Sequence, residues 1–248
     1  MQDGQTRTVV SRQYAVIGPD SHVVAPLVGW QNTMGVVLIA PPIGSAGFTQ
    51  YLALLTADSA AGQASAGFER FIYCLEGKIE VGDTILEAGG YAWVPPDAPT
   101  TISGVTEARA WVHEQPYRSE PGTDTPPIYI AHERDAEAKP FMEDPSMRLA
   151  KLLPEDTAFD LEINRFTFDP GASLPLVESH VNEHGLLMIE GGGIYRLGTG
   201  PEEHWQPVAV GDAIWMGAFC PQWFGCLGKE PAAYLYSKNV NRFAQSCI

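Results

Sequence analysis

Two stretches of this chain repeat one another, and that duplication limits the possible folds more than any other feature. The first reads GFERFIYCLEGKIEV and then EAGGYAWVPPDAPTTI. The second reads VNEHGLLMIEGGGIYRL and then VAVGDAIWMGAFCPQWF. Placing Glu76-Gly77 on Glu190-Gly191 sets an offset of 114 residues. Placing Gly89 on Gly211, and so Trp93 on Trp215, sets an offset of 122. The difference fits a longer hairpin around GTGPEEH (198–204) in the second copy. Two blocks in the same order point to one supersecondary unit built twice.

The unit is β. Apolar stretches recur at GVVLIAPP (35–42), YLALLTA (51–57), RFIYCLEG (70–77) and YAWVPP (91–96). Each is short, rich in Val, Ile, Tyr or Trp, and ended by Gly, Pro or Asp, which is how strands of a sandwich or barrel read. The 25 Gly and 20 Pro among 248 residues supply the turns such a fold needs. Helical potential is confined to HERDAEAKPFM (132–142), where Pro140 limits it. The stretch YRSEPGTDTPP (117–127) reads as a surface connection, with a second run of strands from about Met147. The expected division is residues 1–125, N-terminal strands and a first barrel, and 126–248, a linker and a second barrel.

Charge and composition exclude several classes. Lys plus Arg is 15 and Asp plus Glu is 30, a net charge of -15. That balance argues against nucleic acid, which needs clustered cations. The chain is 45% apolar, enough for a sizeable core. No apolar run approaches the roughly 18 residues that span a bilayer, so no membrane partner is expected. The start, MQDGQTRTVVSRQYAV, lacks a basic-then-apolar signal, so a cytoplasmic protein is expected. Cys74, Cys220, Cys226 and Cys247 are unevenly spaced in apolar context, and four reduced thiols are expected.

The chemistry concentrates in Glu178-Ser-His180-Val-Asn-Glu-His184. In a strand, Glu178 and His180 face one side, and the even spacing to His184 can return to it. Two imidazoles and a carboxylate converging in this way suit a divalent transition metal. Gln222, in the second block of the repeat, can add an amide oxygen. The set suits Mn, Fe, Ni or Zn, and affinity order alone does not choose among them. The repeat sharpens the assignment. The counterparts of Glu178, His180 and His184 are Ala64, Ala66 and Arg70, and that of Gln222 is Thr100. The first copy has the frame without the ligands, so a metal belongs to the second copy alone.

Other residues are weighed against the same frame. Glu183 is out of parity and is expected on a solvated face. Tyr195 lies on the strand after the Glu-Gly-Gly-Gly turn. Tyr234, Tyr236 and Lys238 alternate and share one strand face. Lys238 suits a substrate carboxylate at a barrel mouth, and equally a strand end with its head in water. Cys220 shares the parity of Gln222 and is expected to fill space as a small apolar group. Asn239 and Arg242 have no stronger claim than loop polarity.

The duplicated G…E-G…G-D…P pattern resembles a bicupin, two double-stranded β-helix (jelly-roll) barrels in one chain. The usual cupin motif runs HxH, Glu and a later His. Here the order is Glu178, His180, His184 and Gln222. That departure is similar to the (S)-ureidoglycine aminohydrolase family, whose bacterial members are also called glyoxylate-induced or allantoin-utilisation cupins. The resemblance runs from RQYAVIGPDSHV to LYSKNVNR and is strongest in ESHVNEHG, EGGGIYRLG, GDAIWMGAFCPQWF and YLYSKNVNR.

The resemblance implies a homo-oligomeric hydrolase that cleaves a C–N bond of a small ureido substrate. The reaction is (S)-ureidoglycine plus water giving (S)-ureidoglycolate and ammonia, in allantoin and purine catabolism. It further implies Mn2+ held by Glu178, His180, His184 and Gln222. Substrate contacts fall to Tyr195, Gln222, Tyr234 and Lys238, and catalytic roles to Glu178 and Lys238. Two other readings stay open. One is a different metal-dependent bicupin, a dioxygenase or an oxalate-decarboxylase-like enzyme, classes that generally use three His and a Glu. The other is a non-enzymatic binding bicupin.

Overall fold

Segments such as RFIYCL and GLLMI are apolar at nearly every position rather than at alternate ones. A strand of that kind buries both faces. In Phe68–Glu76, Phe71 and Tyr73 enter one core while Ile72 and Cys74 enter another. In His184–Glu190, Leu187 enters the first of these, and Leu186 and Met188 enter a third. There is thus one core inside each half of the chain and one between the halves. The middle core holds Phe48, Trp93, Trp111 and Trp215, all closed to solvent.

This architecture is that of a computed structural model describing residues 6–239. Cys247 and Arg242 lie outside the described residues. The protein is all-β. Its N-terminal half has a seven-stranded sheet in the order Tyr129–His132, Gly90–Val94, Phe68–Glu76, Ala108–Pro116, Thr49–Leu55, Met34–Ile39, Ala25–Pro26. A five-stranded sheet completes that half: Thr84–Glu87, Lys78–Val81, Ile102–Gly104, Ala60–Ala61, Trp30–Gln31. The C-terminal half has an eight-stranded sheet: Val9–Val10, Tyr14–Ile17, Ala213–Met216, His184–Glu190, Ala232–Lys238, Glu162–Phe168, Asp144–Lys151, Ala138–Phe141. Its companion sheet is His204–Ala209, Gly192–Leu197, Gln222–Gly225. Each half is a two-layer jelly roll, as a bicupin requires.

The repeat is visible in side chains. Trp93 Nε1 donates to Glu69 Oε2 at 2.5 Å, and Trp215 Nε1 donates to Glu183 Oε1 at 2.5 Å. The Glu positions are 114 apart and the Trp positions 122 apart. Gly77 and Gly191 match as well, with φ of 76° and 58°. A Cβ there would lie 2.1 Å from the Glu107 carbonyl and 2.2 Å from the Pro231 carbonyl, so both turns need glycine.

Several expectations are corrected. Sheet membership crosses residue 125 in both directions. Val9–Val10 and Tyr14–Ile17 extend the C-terminal sheet, and Tyr129–His132 edges the N-terminal one. The second run of strands therefore starts well before Met147. The stretch 132–142 contains a single 3-10 turn, Glu133–Asp135, and then the strand Ala138–Phe141. Pro140 is tolerated because that strand is the sheet's edge and its register shifts between Pro140 and Phe141. The hairpin at 198–204 holds the 3-10 turn Gly200–Glu202, which makes it longer than its Val81–Thr84 counterpart. Cys74, Cys220 and Cys226 are buried thiols outside any disulfide among the described residues.

Candidate functional site

The strand Ala232–Lys238 carries Tyr234, Tyr236 and Lys238 into the C-terminal half, each two residues from the next and so on one face. The neighbouring strand Glu162–Phe168 pairs with it so that Glu162 lies opposite Lys238 and Asn164 opposite Tyr236. On its other side, His184 also lies opposite Lys238. These strands, with Gln222 and Tyr195 from the smaller sheet, surround a cavity of about 70 Å³. Glu178, His184, Tyr195, Gln222, Tyr234, Tyr236 and Lys238 all line it. That exceeds the roughly 10–15 Å³ a cavity needs to admit one water.

Glu178 and His180 reach this place differently from the expectation. Neither lies in a regular strand. Glu178 is anchored by a single antiparallel bridge to Gln222, with backbone bonds of 2.8 and 2.9 Å. The Phe219 amide, in turn, donates to the His180 carbonyl at 2.7 Å. Pairing with the 219–222 segment, rather than strand parity, therefore sets the approach. The rings do converge. His184 Nε2 lies 3.1 Å from His180 Nε2, and the Gln222 amide lies 3.2 Å from the same His180 nitrogen. Among the described residues, no group of three or more His, Cys, Asp or Glu is arranged to hold a metal ion. The assembled donors are two imidazoles and an amide, with Glu178 on the same cavity wall.

Burial sets the electrostatics. It pushes the His184 imidazole well below its usual range, with His180 and Lys238 adding to the effect. It lowers His180 too, again helped by Lys238. It raises the Glu178 carboxyl, against the pull of Lys238. Tyr195 and Tyr234 are raised by burial and hydrogen-bond each other, so both keep their phenolic protons.

No family model matches the chain. Over 246 residues it is 39% identical to the (S)-ureidoglycine aminohydrolase of Arabidopsis thaliana, covering 96% of this chain and 80% of that protein. It is 30% identical over 238 residues to the (S)-ureidoglycine aminohydrolase of Escherichia coli K12, covering 92% and 89%. The chain belongs to the (S)-ureidoglycine aminohydrolase family. The fold agrees with that membership. The crystal structure of the E. coli protein Ylba superposes with a TM-score of 0.80 at 29% identity, covering 96% of this chain and 95% of that one. Bacillus subtilis oxalate decarboxylase, at a TM-score of 0.72 and 10% identity over 95% of this chain and 79% of that one, shares the fold alone.

For this family member, three residues stand apart from the sequence reading. Glu162 forms an ion pair with Lys238 at 3.4 Å and accepts from Asn164 Nδ2 at 2.7 Å. Lys238 therefore has a protein carboxylate as partner at the cavity rim. In EINRFTF, Glu162 and Asn164 share a face with Phe166 and Phe168, and two polar residues leading an aromatic face were the available signal. Glu183 is the third. Instead of facing solvent it is buried, bound by Trp215 and by the Gly47 amide from the other half at 3.0 Å.

Proposed function

We propose that this chain is a manganese-dependent hydrolase converting (S)-ureidoglycine and water to (S)-ureidoglycolate and ammonia, within allantoin and purine catabolism. One observation carries the reading. The His180 and His184 nitrogens meet at 3.1 Å beside Gln222, and His184 and Gln222 line a cavity with Glu178 and Lys238. The activity named for relatives at 39% and 30% identity supports it.

The residues fit a divalent ion. His184 Nδ1 lies 3.2 Å from the Ser237 carbonyl, which only accepts. Nδ1 therefore carries the ring proton and Nε2 presents its lone pair to His180. Ligands about 2.1 Å from one ion sit about 3 Å apart at right angles, which matches the spacing of these donors. Gln222 turned about its amide presents oxygen where nitrogen now stands. Bound there, an ion would supply Lewis-acid polarisation and a template for the substrate. The donor types alone also admit Fe, Ni or Zn.

The chain's own residues supply the rest. The Lys238 ammonium, held at the rim by Glu162, draws in the substrate carboxylate. Tyr195 and Tyr234, kept protonated by burial, orient the ureido end of the substrate. Glu178 takes a proton from the attacking water as the new C–O bond forms. It returns that proton to the amine as the C–N bond breaks and ammonia leaves. That duty requires a carboxylate free of the ion while it carries the proton. The surface bears on assembly: Val23, Val28 and Val37 are exposed beside the edge strand Ala25–Pro26, which supports a homo-oligomer.

The test is ammonia release from freshly generated ureidoglycine, with and without added manganese and beside the uncatalysed rate. Glu178→Ala and His184→Ala are expected to abolish both bound manganese and ammonia release. Full activity after exhaustive chelation overturns the metal assignment. Oxygen uptake or oxalate turnover in place of ammonia release favours the other bicupin chemistries.

A further inference from the structure

A continuous polar chain runs through the aromatic and aliphatic core between the halves, separate from the Glu183–Trp215 pair. It begins at Glu69, which accepts from Trp93 Nε1 at 2.5 Å and from Gln115 Nε2 at 2.7 Å. Gln115 Oε1 is thereby turned toward His113 Nε2, at 3.1 Å. That oxygen only accepts, so His113 carries its proton on Nε2 and Nδ1 accepts. Gln50 Nε2 meets this Nδ1 at 3.1 Å. The same Gln50 amide crosses into the other half. It reaches the Gly185 carbonyl at 3.1 Å and the Ser237 hydroxyl at 3.0 Å. Glu69, Gln50, His113 and Ser237 are closed to solvent, and Gln115 is nearly so.

Where this chain ends is informative. Gly185 follows His184, and the Ser237 carbonyl takes the His184 ring at 3.2 Å. Gln50 thus holds, by its side chain, the two backbone segments that orient a candidate metal ligand. Gly185 makes room for it. A Cβ there would lie 2.7 Å from Gln50 Nε2 and 2.6 Å from the Phe48 ring.

The duplication shows that packing alone does not require this amide. Gln50 lies opposite His113 in the N-terminal sheet, and Ile163 lies opposite Ser237 in the C-terminal sheet. Those pairs are counterparts, so the position of Gln50 is filled in the other half by Ile163, buried in the same core. An apolar residue suffices where no metal ligand needs support. The polar donor occurs only where it points from the metal-free half to the half bearing the histidines.

We propose that Gln50 is a positioning residue for His184: the N-terminal half reaches across the interface to fix the ring that would hold the ion. The proposal rests on the metal reading above. It assigns the first jelly roll a part in the site as well as in packing. Losing a partner of this outer kind lowers metal affinity about 10- to 100-fold in characterised sites.

The test uses the full chain and manganese alone, titrated with free Mn2+ followed by its EPR signal, with ammonia release measured in parallel. Gln50→Leu removes the donor and keeps the bulk. It is expected to weaken manganese binding at least about 10-fold well below its Tm and to alter the bound-ion spectrum. Leu152→Ala truncates the same core away from the polar chain, and is expected to lose Tm with manganese affinity unchanged. Should Gln50→Leu fail to fold, Ser237→Ala and Ser237→Thr take its place. Ala is expected to weaken binding and Thr, which keeps the hydroxyl, to restore it. Wild-type affinity in a folded Gln50→Leu, or in Ser237→Ala, overturns the proposal. Equal weakening in Leu152→Ala reduces it to general stability and overturns it too. Wild-type protein that binds no manganese defeats the functional reading itself, an outcome distinct from these.

Discussion

Lys238 sits between two carboxylates, paired with Glu162 at 3.4 Å and close enough to Glu178 to oppose the rise in its pKa. An ammonium placed this way stays in reach of an anionic substrate. Replacing it with Met removes the charge at the rim and leaves the imidazole pair in place. We expect Lys238→Met to lower kcat/KM by about 100-fold or more, with bound manganese retained, the scale of losing one preorganised charge contact. An unchanged kcat/KM would remove Lys238 from the site. The candidate ligands were legible as a sequence cluster because three of them fall within seven residues and the repeat lacks them. Glu162 was not, because its importance comes from register with a strand 70 residues away. Glu183 misled for a related reason. Parity predicts facing only in a strand, and Glu183 precedes the first strand residue, His184.

At the level of the element, strand His184–Glu190 explains much of the site. It is hydrogen-bonded on both sides, to Ala213–Met216 and to Ala232–Lys238, and buried on both faces. A histidine at its first residue is held in place as a loop residue would not be. The glycine behind it is the tightest point. We expect Gly185→Ala to destabilise the protein by about 1–3 kcal/mol, since Phe48 and Gln50 must move to admit the methyl. Urea unfolding measures this directly, and an unaltered midpoint would show that the two halves part there at little cost. That strand was readable from GLLMI, whose uninterrupted apolar run signals two covered faces. The strand Ala138–Phe141 was not, because its Pro140 argues against regular structure and only an edge position permits it.

For the whole molecule, the repeat in the sequence anticipated two related halves, and the matched Glu69–Trp93 and Glu183–Trp215 pairs embody it. It did not anticipate how the halves share strands. The pairing of Tyr14–Ile17 with Ala213–Met216 joins segments from opposite ends of the chain, which no local pattern reports. Nor did it anticipate the polar chain between them, which has a measurable consequence through His113. Burial among Phe48, Trp111 and the glutamines lowers its pKa from 6.5 to about 4. Between those values the unfolded chain binds a proton there and the folded chain does not. Stability from this group is therefore complete above pH 6.5 and is lost as pH falls toward 4. The shift corresponds to about 3 kcal/mol at most. His113→Gln keeps a donor and an acceptor and removes the titration. Unfolding free energies measured from pH 7.5 to 4.5 should fall more steeply for the wild type than for this variant. The two curves should converge with acid, because other titrating groups contribute equally to both. Parallel curves would mean that His113 takes up its proton over the same pH range in the folded chain as in the unfolded one. In that case Nδ1 would become a donor and Gln50 would have to present its amide oxygen there.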